Sequence, residues 1–393
     1  MKILISAPSG FNSREILHPL APLLTLDPDV ETIFVISPAS PHHEILFKEF
    51  GMKFEFYENP SDTASHLALL KKLQPDIVLT PTFGLDDKDT PILEAAKTAG
   101  IKTCVFVASW DNVYKMERFK NQNKQYILPD CFAVWNKMMK SHIQALWPEF
   151  KGEINITGAP RFDFFFQQDR IPDRQSLLKR LELPTTQAKL VHLATTELYP
   201  FDYIVKAIAS GQSKALIKYE LQLFASVHPG GDLNNHKQYK QYGVRTQFAL
   251  GRRGNSPLDD FRYMPLYDEI FYHVSLFKNA DLLINQSSTV AIESMLTDTP
   301  VINVKYGRKW DWWNWHRSMV YRDFQQHYKD IIEGGGTTIV NSDKELISAI
   351  NAYLEDPSLK KTEREQTVKK LLTYTDGKSA QRLKDYLKQI ITS

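Results

Sequence analysis

The sequence predicts an α/β protein built from two doubly wound halves, and three observations predict it. Short apolar runs alternate with helical-period segments from the first residue, the pattern of parallel strands joined by crossover helices. The alternation breaks once, between Ala159 and Arg174, where prolines and charges interrupt the period, and then resumes. The length of 393 residues suits two large domains or three small ones at roughly 150 residues per domain.

In the first half the apolar runs place strands at Lys2–Ser6, Thr32–Ser37, Asp76–Thr80, Thr103–Ala108, Cys131–Trp135 and Glu153–Thr157. Between them SDTASHLALLKKL reads as a helix opened by Ser61 or Asp62, and NKMMKSHIQALW as one opened by Asn136. A new helix, RQSLLKRLEL, follows the break. Strands are then expected at Leu190–Thr195, Leu221–Val227, Val244–Ala249, Asp281–Asn285, Val301–Lys305 and Thr337–Val340. The domains expected are 1–165, 166–375 and a helix at 376–393, KSAQRLKDYLKQII, long enough to run back over the first domain.

Composition removes several function classes. Lys and Arg number 48 against 46 Asp and Glu, a net charge of +2, too near balance for a chain living on nucleic-acid phosphates. The apolar fraction of 42% and aromatic fraction of 12% suffice for a packed core. Two cysteines, Cys104 and Cys131, exclude a disulfide framework or thiolate zinc cluster and fit a reducing, cytoplasmic setting. Pro8 and Gly10 cut the first apolar run short of a signal sequence, and no later stretch is apolar enough for a span. Peripheral association with the inner face of a membrane stays open.

Three segments carry chemistry. In SAPSGFNSREIL a strand feeds a small-residue loop and a helix, a turn able to hold an anion through Ser9, Gly10 and Asn12; the alternative is an ordinary tight βα turn. It has neither a three-glycine dinucleotide fingerprint nor a Walker lysine. In INQSSTVAIESMLTDTPVINVKY, Ser287, Ser288 and Thr289 fall at a helix start where hydroxyls and free amides meet phosphate oxygens, and Glu293 lies one turn on, suited to ribose hydroxyls. A Ser/Thr cap on a packing helix is the plainer reading. In LFASVHPGGD an apolar strand ends in His228, Pro229 and Gly230, which puts an imidazole at the ligand edge of a sheet.

VHPGGD together with QSSTVAIE resembles the nucleotide-binding domain of GT-B glycosyltransferases. Within that superfamily the pair is similar to bacterial sialyltransferases and Kdo transferases, whose His-Pro and Ser-Ser motifs hold a cytidine monophosphate sugar, and to CDP-glycerol glycerophosphotransferases. The ending TYTDGKSAQRLKDYL is similar to the terminal Asp-Gly-Lys-x-x-x-Arg helix of the glycerophosphotransferases. The resemblance implies two Rossmann-like domains facing a cleft, a nucleotide donor held on the second by His228, Pro229, Gly230, Ser287, Ser288 and Thr289 at its phosphate and Glu293 at its ribose, with help from Ser9 and Gly10, and a base on the first.

For that base VASWDN offers Asp111, with Trp110 and Asn112 beside it as acceptor contacts, and TPTFGLDDKDTP offers Asp86 and Asp87. The sialyltransferases carry paired acids followed by Gly, whereas here Gly84 precedes them. Asp87-x-Asp89 and Asp27-x-Asp29 match a metal-binding pattern but read as solvated turns, so no metal is expected. In GRKWDWWNWHR, Trp310, Trp312, Trp313 and Trp315 crowd beside His316 and basic residues, suiting an acceptor wall, a membrane interface or an anionic lipid-linked acceptor, unless the rings only fill a core.

The expected activity is sugar transfer from a CMP-, CDP- or UDP-linked donor to a surface polysaccharide or glycolipid, with the donor as co-substrate and no separate cofactor. The alternatives are glycerophosphate transfer from CDP-glycerol, nucleotide-sugar 2-epimerisation, and a non-catalytic nucleotide-binding partner.

Overall fold

A computed structural model describes residues 1–8, 13–37, 53–81, 90–122, 126–228, 231–248 and 264–392. The chain forms two compact units, one of Met1–Phe166, Phe261–Tyr267 and Leu371–Ser393, the other of Gln167–Asp260 and Asp268–Lys370.

The first unit is built on a seven-stranded parallel sheet in the order β3-β2-β1-β4-β5-β6-β7. In chain order it contains β1 (Lys2–Ser6), α1 (His18–Thr25), β2 (Thr32–Ser37), β3 (Phe54–Glu58), α2 (Thr63–Leu73), β4 (Ile77–Thr80), α3 (Thr90–Ala99), β5 (Lys102–Phe106), α4 (Asn112–Asn121), β6 (Cys131–Val134), α5 (Lys137–Leu146) and β7 (Glu153–Ile156). The six expected strands are present. The seventh, β3, reads FEFYE; it lies at the sheet edge with only Phe54 fully buried, so it has no apolar run to betray it. Asp62, not Ser61, caps α2 by accepting from the Ser65 N–H at 2.9 Å, and Asn136 caps α5. The helix expected after β1 begins as a π-turn, Ser13–Leu17, before α1, whose Pro22 removes one donor from its ladder.

The Ala159–Arg174 stretch, where the sequence places the linker between the halves, contains two short helical turns. Pro160–Phe166 is a 3-10 helix that buries Phe162, Phe164 and Phe165, and a second short turn covers Gln168–Arg170.

The second unit carries α6 (Arg174–Arg180), β8 (Lys189–Ala194), α7 (Asp202–Ser213), β9 (Leu221–Val227), β10 (Val244–Phe248), α8 (Tyr267–Asn279), β11 (Leu282–Asn285), α9 (Val290–Leu296), β12 (Val301–Val304), α10 (Trp312–Arg317), α11 (Met319–Gln325), α12 (Lys329–Glu333), β13 (Thr338–Val340), α13 (Asp343–Glu355) and α14 (Lys361–Leu372). Its six parallel strands run β10-β9-β8-β11-β12-β13, all within a residue or so of the expected positions. Val191, Leu193, Ile284, Ile302 and Ile350 lie in one core cluster between this sheet and its helices.

The last helix, α15 (Ser379–Thr392), belongs to the first unit and packs on α1, β5 and the Pro160–Phe166 turn. Asp27 is no solvated turn. It is buried, Lys384 Nζ donates to it at 2.8 Å and Lys388 Nζ at 3.1 Å, and the Lys384 hydrogen bond holds its carboxyl down at about 2. The spacing of Asp27 and Asp29 thus serves to clamp α15, since Lys388 also reaches Asp29.

Candidate functional site

The strand order of the second unit reverses between β8 and β11, and in doubly wound sheets ligands bind at the carboxyl ends of the strands flanking that reversal. The chain there is Thr195–Thr196 after β8, His228 after β9 and Gln286–Thr289 after β11. The Thr195 N–H donates to the Ser226 carbonyl at 3.1 Å, which ties the β8 and β9 exits together.

A buried polar network fixes the turn after β11. Asn303 Nδ2, on β12, donates to Tyr328 Oη at 2.8 Å and the Gln286 carbonyl at 3.1 Å, and also bonds Asn285 Oδ1. Tyr328, its hydroxyl pKa raised by burial, donates to the Ser288 carbonyl at 3.4 Å. Gln286 Nε2 donates to Tyr203 Oη at 3.1 Å, and Ser287 Oγ to Asp323 Oδ2 at 3.1 Å. Ser287 is therefore engaged within the protein, while Ser288 and Thr289 are partly exposed. Thr289 occupies the N-cap position of the seven-residue α9 without a side-chain capping bond.

Glu293 is 2% exposed, with its carboxylate 3.4 Å from His273 Nε2 of α8. A contact to ribose from this position requires the pair to open. Beneath it His192 Nε2 lies 2.7 Å from Ser226 Oγ, and burial, with the nearby His273, lowers the His192 imidazole to about 3. His273 and Ser226 also line a cavity of about 250 Å³ between α6 and α8 at the ends of β9 and β10. Arg180, Gln247, Glu269 and Tyr272 complete its polar and aromatic wall. No motif in the sequence points to these residues, because they come from helices and strands far apart in the chain and gain meaning only from the neighbours the fold gives them.

His228 is exposed at its strand end, yet desolvation lowers its pKa below the ordinary histidine value, with the Glu197 carboxylate opposing the shift. The Gly231 N–H donates to the His228 carbonyl at 2.8 Å, and a Cβ at Gly231 would stand 2.2 Å from Glu197 Oε1, so a side chain there would displace the carboxylate. His236 Nε2 lies 3.2 Å from the same oxygen. Pro229 and Gly230 lie outside the described residues.

In the first unit Ser9, Gly10, Asn12, Asp86, Asp87 and Asp89 also lie outside the described residues. Asp111 precedes α4, with Lys115 Nζ 2.8 Å from its carboxylate and Ser109 Oγ donating to it. Trp110 and Asn112 are buried on either side; the Trp110 ring is a core group with no face open to an acceptor, and Asn112 accepts from Lys115 Nζ at 3.3 Å. Among the described residues no group of three or more acidic, histidine or cysteine side chains is placed to hold a metal ion.

The tryptophans divide. Trp315 is 5% exposed and packs edge-on against Tyr199, ring centroids 5.1 Å apart, whereas Trp310, Trp312 and Trp313 are exposed by 79%, 61% and 61%. Lys305, Lys309, Trp312 and His316 line a cavity of about 220 Å³ beside them.

Compared with known proteins, the chain matches the CDP-glycerol:poly(glycerophosphate) glycerophosphotransferase family over residues 102–389. The chain belongs to this family. Sheets of seven and six parallel strands match the two-domain α/β architecture of GT-B enzymes, and solved structures share it at low identity. The UDP-GlcNAc 2-epimerase of Neisseria meningitidis, bound to UDP-GlcNAc, is 13% identical with a TM-score of 0.65, covering 99% of this chain and 100% of its own. A glycosyltransferase of Rickettsia africae is 15% identical at 0.59, covering 100% and 98%. Anabaena HepE in complex with UDP is 15% identical at 0.54, covering 99% and 100%. At such identities the likeness is one of fold. No curated protein matches the chain.

The Asp-Gly-Lys ending of the chain has a structural role in this member of the family. Gly377 sits at φ +69°, and a Cβ there would come within 2.8 Å of Phe166 Cβ. Asp376 pairs with Arg382, whose guanidinium lies 3.8 Å from the centroid of the Tyr374 ring. The motif turns the chain into α15 and seats that helix on the Pro160–Phe166 turn.

Proposed function

We propose that the chain transfers a phosphate-linked polyol, glycerol phosphate in the first instance, from a CDP-linked donor to a hydroxyl of a polymer or glycolipid. The observation that carries this reading is the family match from β5 of the first sheet through the whole of the second, with the hydroxyl-bearing turn Gln286–Thr289 at the topological switch point of the second unit. It replaces sugar transfer as the leading expectation, because the family is defined by glycerol phosphate and the sugar-handling neighbours speak only for the fold.

In this reading the acceptor hydroxyl attacks the phosphorus that bears the glycerol. A new P–O bond forms, the bond to the bridging oxygen breaks, CMP leaves, and the hydroxyl proton passes to a base. Ser288, Thr289 and the exposed imidazole of His228 would meet the leaving phosphate, and stabilising charge that develops there is the most effective way to lower such a barrier. The cavity walled by Tyr272, Gln247, Glu269 and Arg180 suits a flat nucleobase with a polar edge: an acidic acceptor meets an exocyclic amine, and a guanidinium a ring carbonyl. Asp111 is the proposed base. No metal is assigned to the reaction.

The test is incubation of purified protein with CDP-glycerol and a glycerol phosphate oligomer, in parallel with CMP- and UDP-sugars. Chain extension with CMP release from CDP-glycerol alone supports the proposal. Sugar interconversion without acceptor points to an epimerase, and nucleotide binding without turnover across the panel to a non-catalytic partner; either refutes it.

A further inference from the structure

Residues 305–322 hold five Lys or Arg, namely Lys305, Arg308, Lys309, Arg317 and Arg322, against one acid, Asp311. Four of the large hydrophobic side chains exposed among the described residues, Trp310, Trp312, Trp313 and Met319, fall within ten consecutive positions of this stretch. Monomeric surfaces scatter such residues singly; a contiguous group marks an interaction surface.

The group is contiguous. The Trp312 ring lies 5.9 Å from Trp313 and 4.7 Å from His316, the Arg317 guanidinium 5.8 Å from the Trp313 centroid, and that of Arg308 5.3 Å from Trp310. It is also held firmly from below. Trp315 is sunk against Tyr199 and Tyr321, Arg308 pairs with Asp202 on α7, and the Arg308 N–H donates to Tyr199 Oη at 3.1 Å. A Cβ on Gly307 would meet the Trp315 side chain at 2.6 Å, so the loop closes directly onto its buried anchor. The exposed rings are thus presented by a seated element.

We infer that this face of the second unit docks on an anionic bilayer. Indoles with an apolar body and one N–H settle at the headgroup level, and Lys and Arg beside them answer lipid phosphates. A soluble polyanion would be gripped by the cations without three exposed indoles; a protein partner's apolar patch would not call for the exposed cations Lys309, Arg317 and Arg322 around it. The cavity lined by Lys305, Lys309, Trp312 and His316 opens beside the rings and is sized for a single phosphate headgroup. The inference does not depend on the donor proposed above.

Sedimentation of the full chain with vesicles tests it. Expected is binding to phosphatidylglycerol-containing vesicles and little to pure phosphatidylcholine, weakened by salt because the charges act at the surface. The triple variant Trp310→Ala/Trp312→Ala/Trp313→Ala should lose on the order of tenfold or more in vesicle affinity, and Lys309→Gln or Arg317→Gln about fivefold each. Its melting temperature and its thermal shift with CDP should match the parent, which shows that the fold survives. Equal vesicle binding by the triple variant overturns the inference. So does binding of soluble polyphosphate with no binding to vesicles, or a dimer in sedimentation velocity that the triple variant abolishes, since the patch would then serve a polyanion or a second copy.

Discussion

The Asp163 carboxylate accepts from the backbone N–H groups of Ser379, at 3.1 Å, and Ala380, at 2.7 Å, and so caps the last helix from 216 positions away in the chain. Free N–H groups at a helix start need such an acceptor. Burial is nevertheless the larger influence and raises the Asp163 pKa to about 6. The folded protein therefore takes up a proton that the unfolded chain lacks between pH 4 and 6. The contribution is fully present below the unfolded value of 3.8 and is lost as pH rises through 6, by about 3 kcal/mol. Urea unfolding across this window should show that decline, and Asp163→Asn should flatten it. An unchanged pH profile in the variant would assign the slope elsewhere.

Gly377→Ala combines a left-handed φ of +69° with a Cβ 2.8 Å from Phe166 Cβ, and is expected to cost roughly 2 kcal/mol or more. Gly243→Ala is the control. Its φ is +72° with nothing within 4 Å of the new Cβ, so it should cost only the backbone share, about 1 kcal/mol. Equal melting temperatures for the two variants would deny Phe166 a part.

Trp315→Ala should destabilise by about 3–5 kcal/mol, as large aromatic deletions in cores do. Trp310→Ala should stay within about 0.5 kcal/mol of the parent, because its ring is 79% exposed. Thermal denaturation of the two variants separates core from surface directly.

Glu293→Ala is expected to raise the donor KM about tenfold while leaving kcat nearly intact, the signature of a contact made equally in ground and transition states. His273→Ala should move the donor KM in the same direction, since the two side chains sit 3.4 Å apart. A lowered melting temperature with an unaltered KM in both would make the pair purely structural.

Ser288→Ala and His228→Ala should each lower turnover on the order of 10²-fold, the scale of one transition-state donor. Ser287→Ala should act more through stability, because its hydroxyl is already bonded to Asp323 at 3.1 Å. Full activity in purified His228→Ala would remove the imidazole from the leaving-group site.

The alternation of strand and helix and the two motifs of the second half are legible in the sequence alone. These are local signals: apolar period, Asn136 as a cap, and hydroxyls or an imidazole directly after a strand. It could not show β3, an edge strand with one fully buried residue. Nor could it separate Trp315 from Trp310, because the same residue type five positions away lands in a core or in solvent according to where Tyr199 stands. Asp27, read as a solvated turn, became the clamp for α15 only because Lys384 and Lys388 fold back onto it. The tertiary structure alone joined His273 to Glu293 and His192 to Ser226, since pairing buried polar groups depends on which strands and helices become neighbours, and that information is spread over the whole chain.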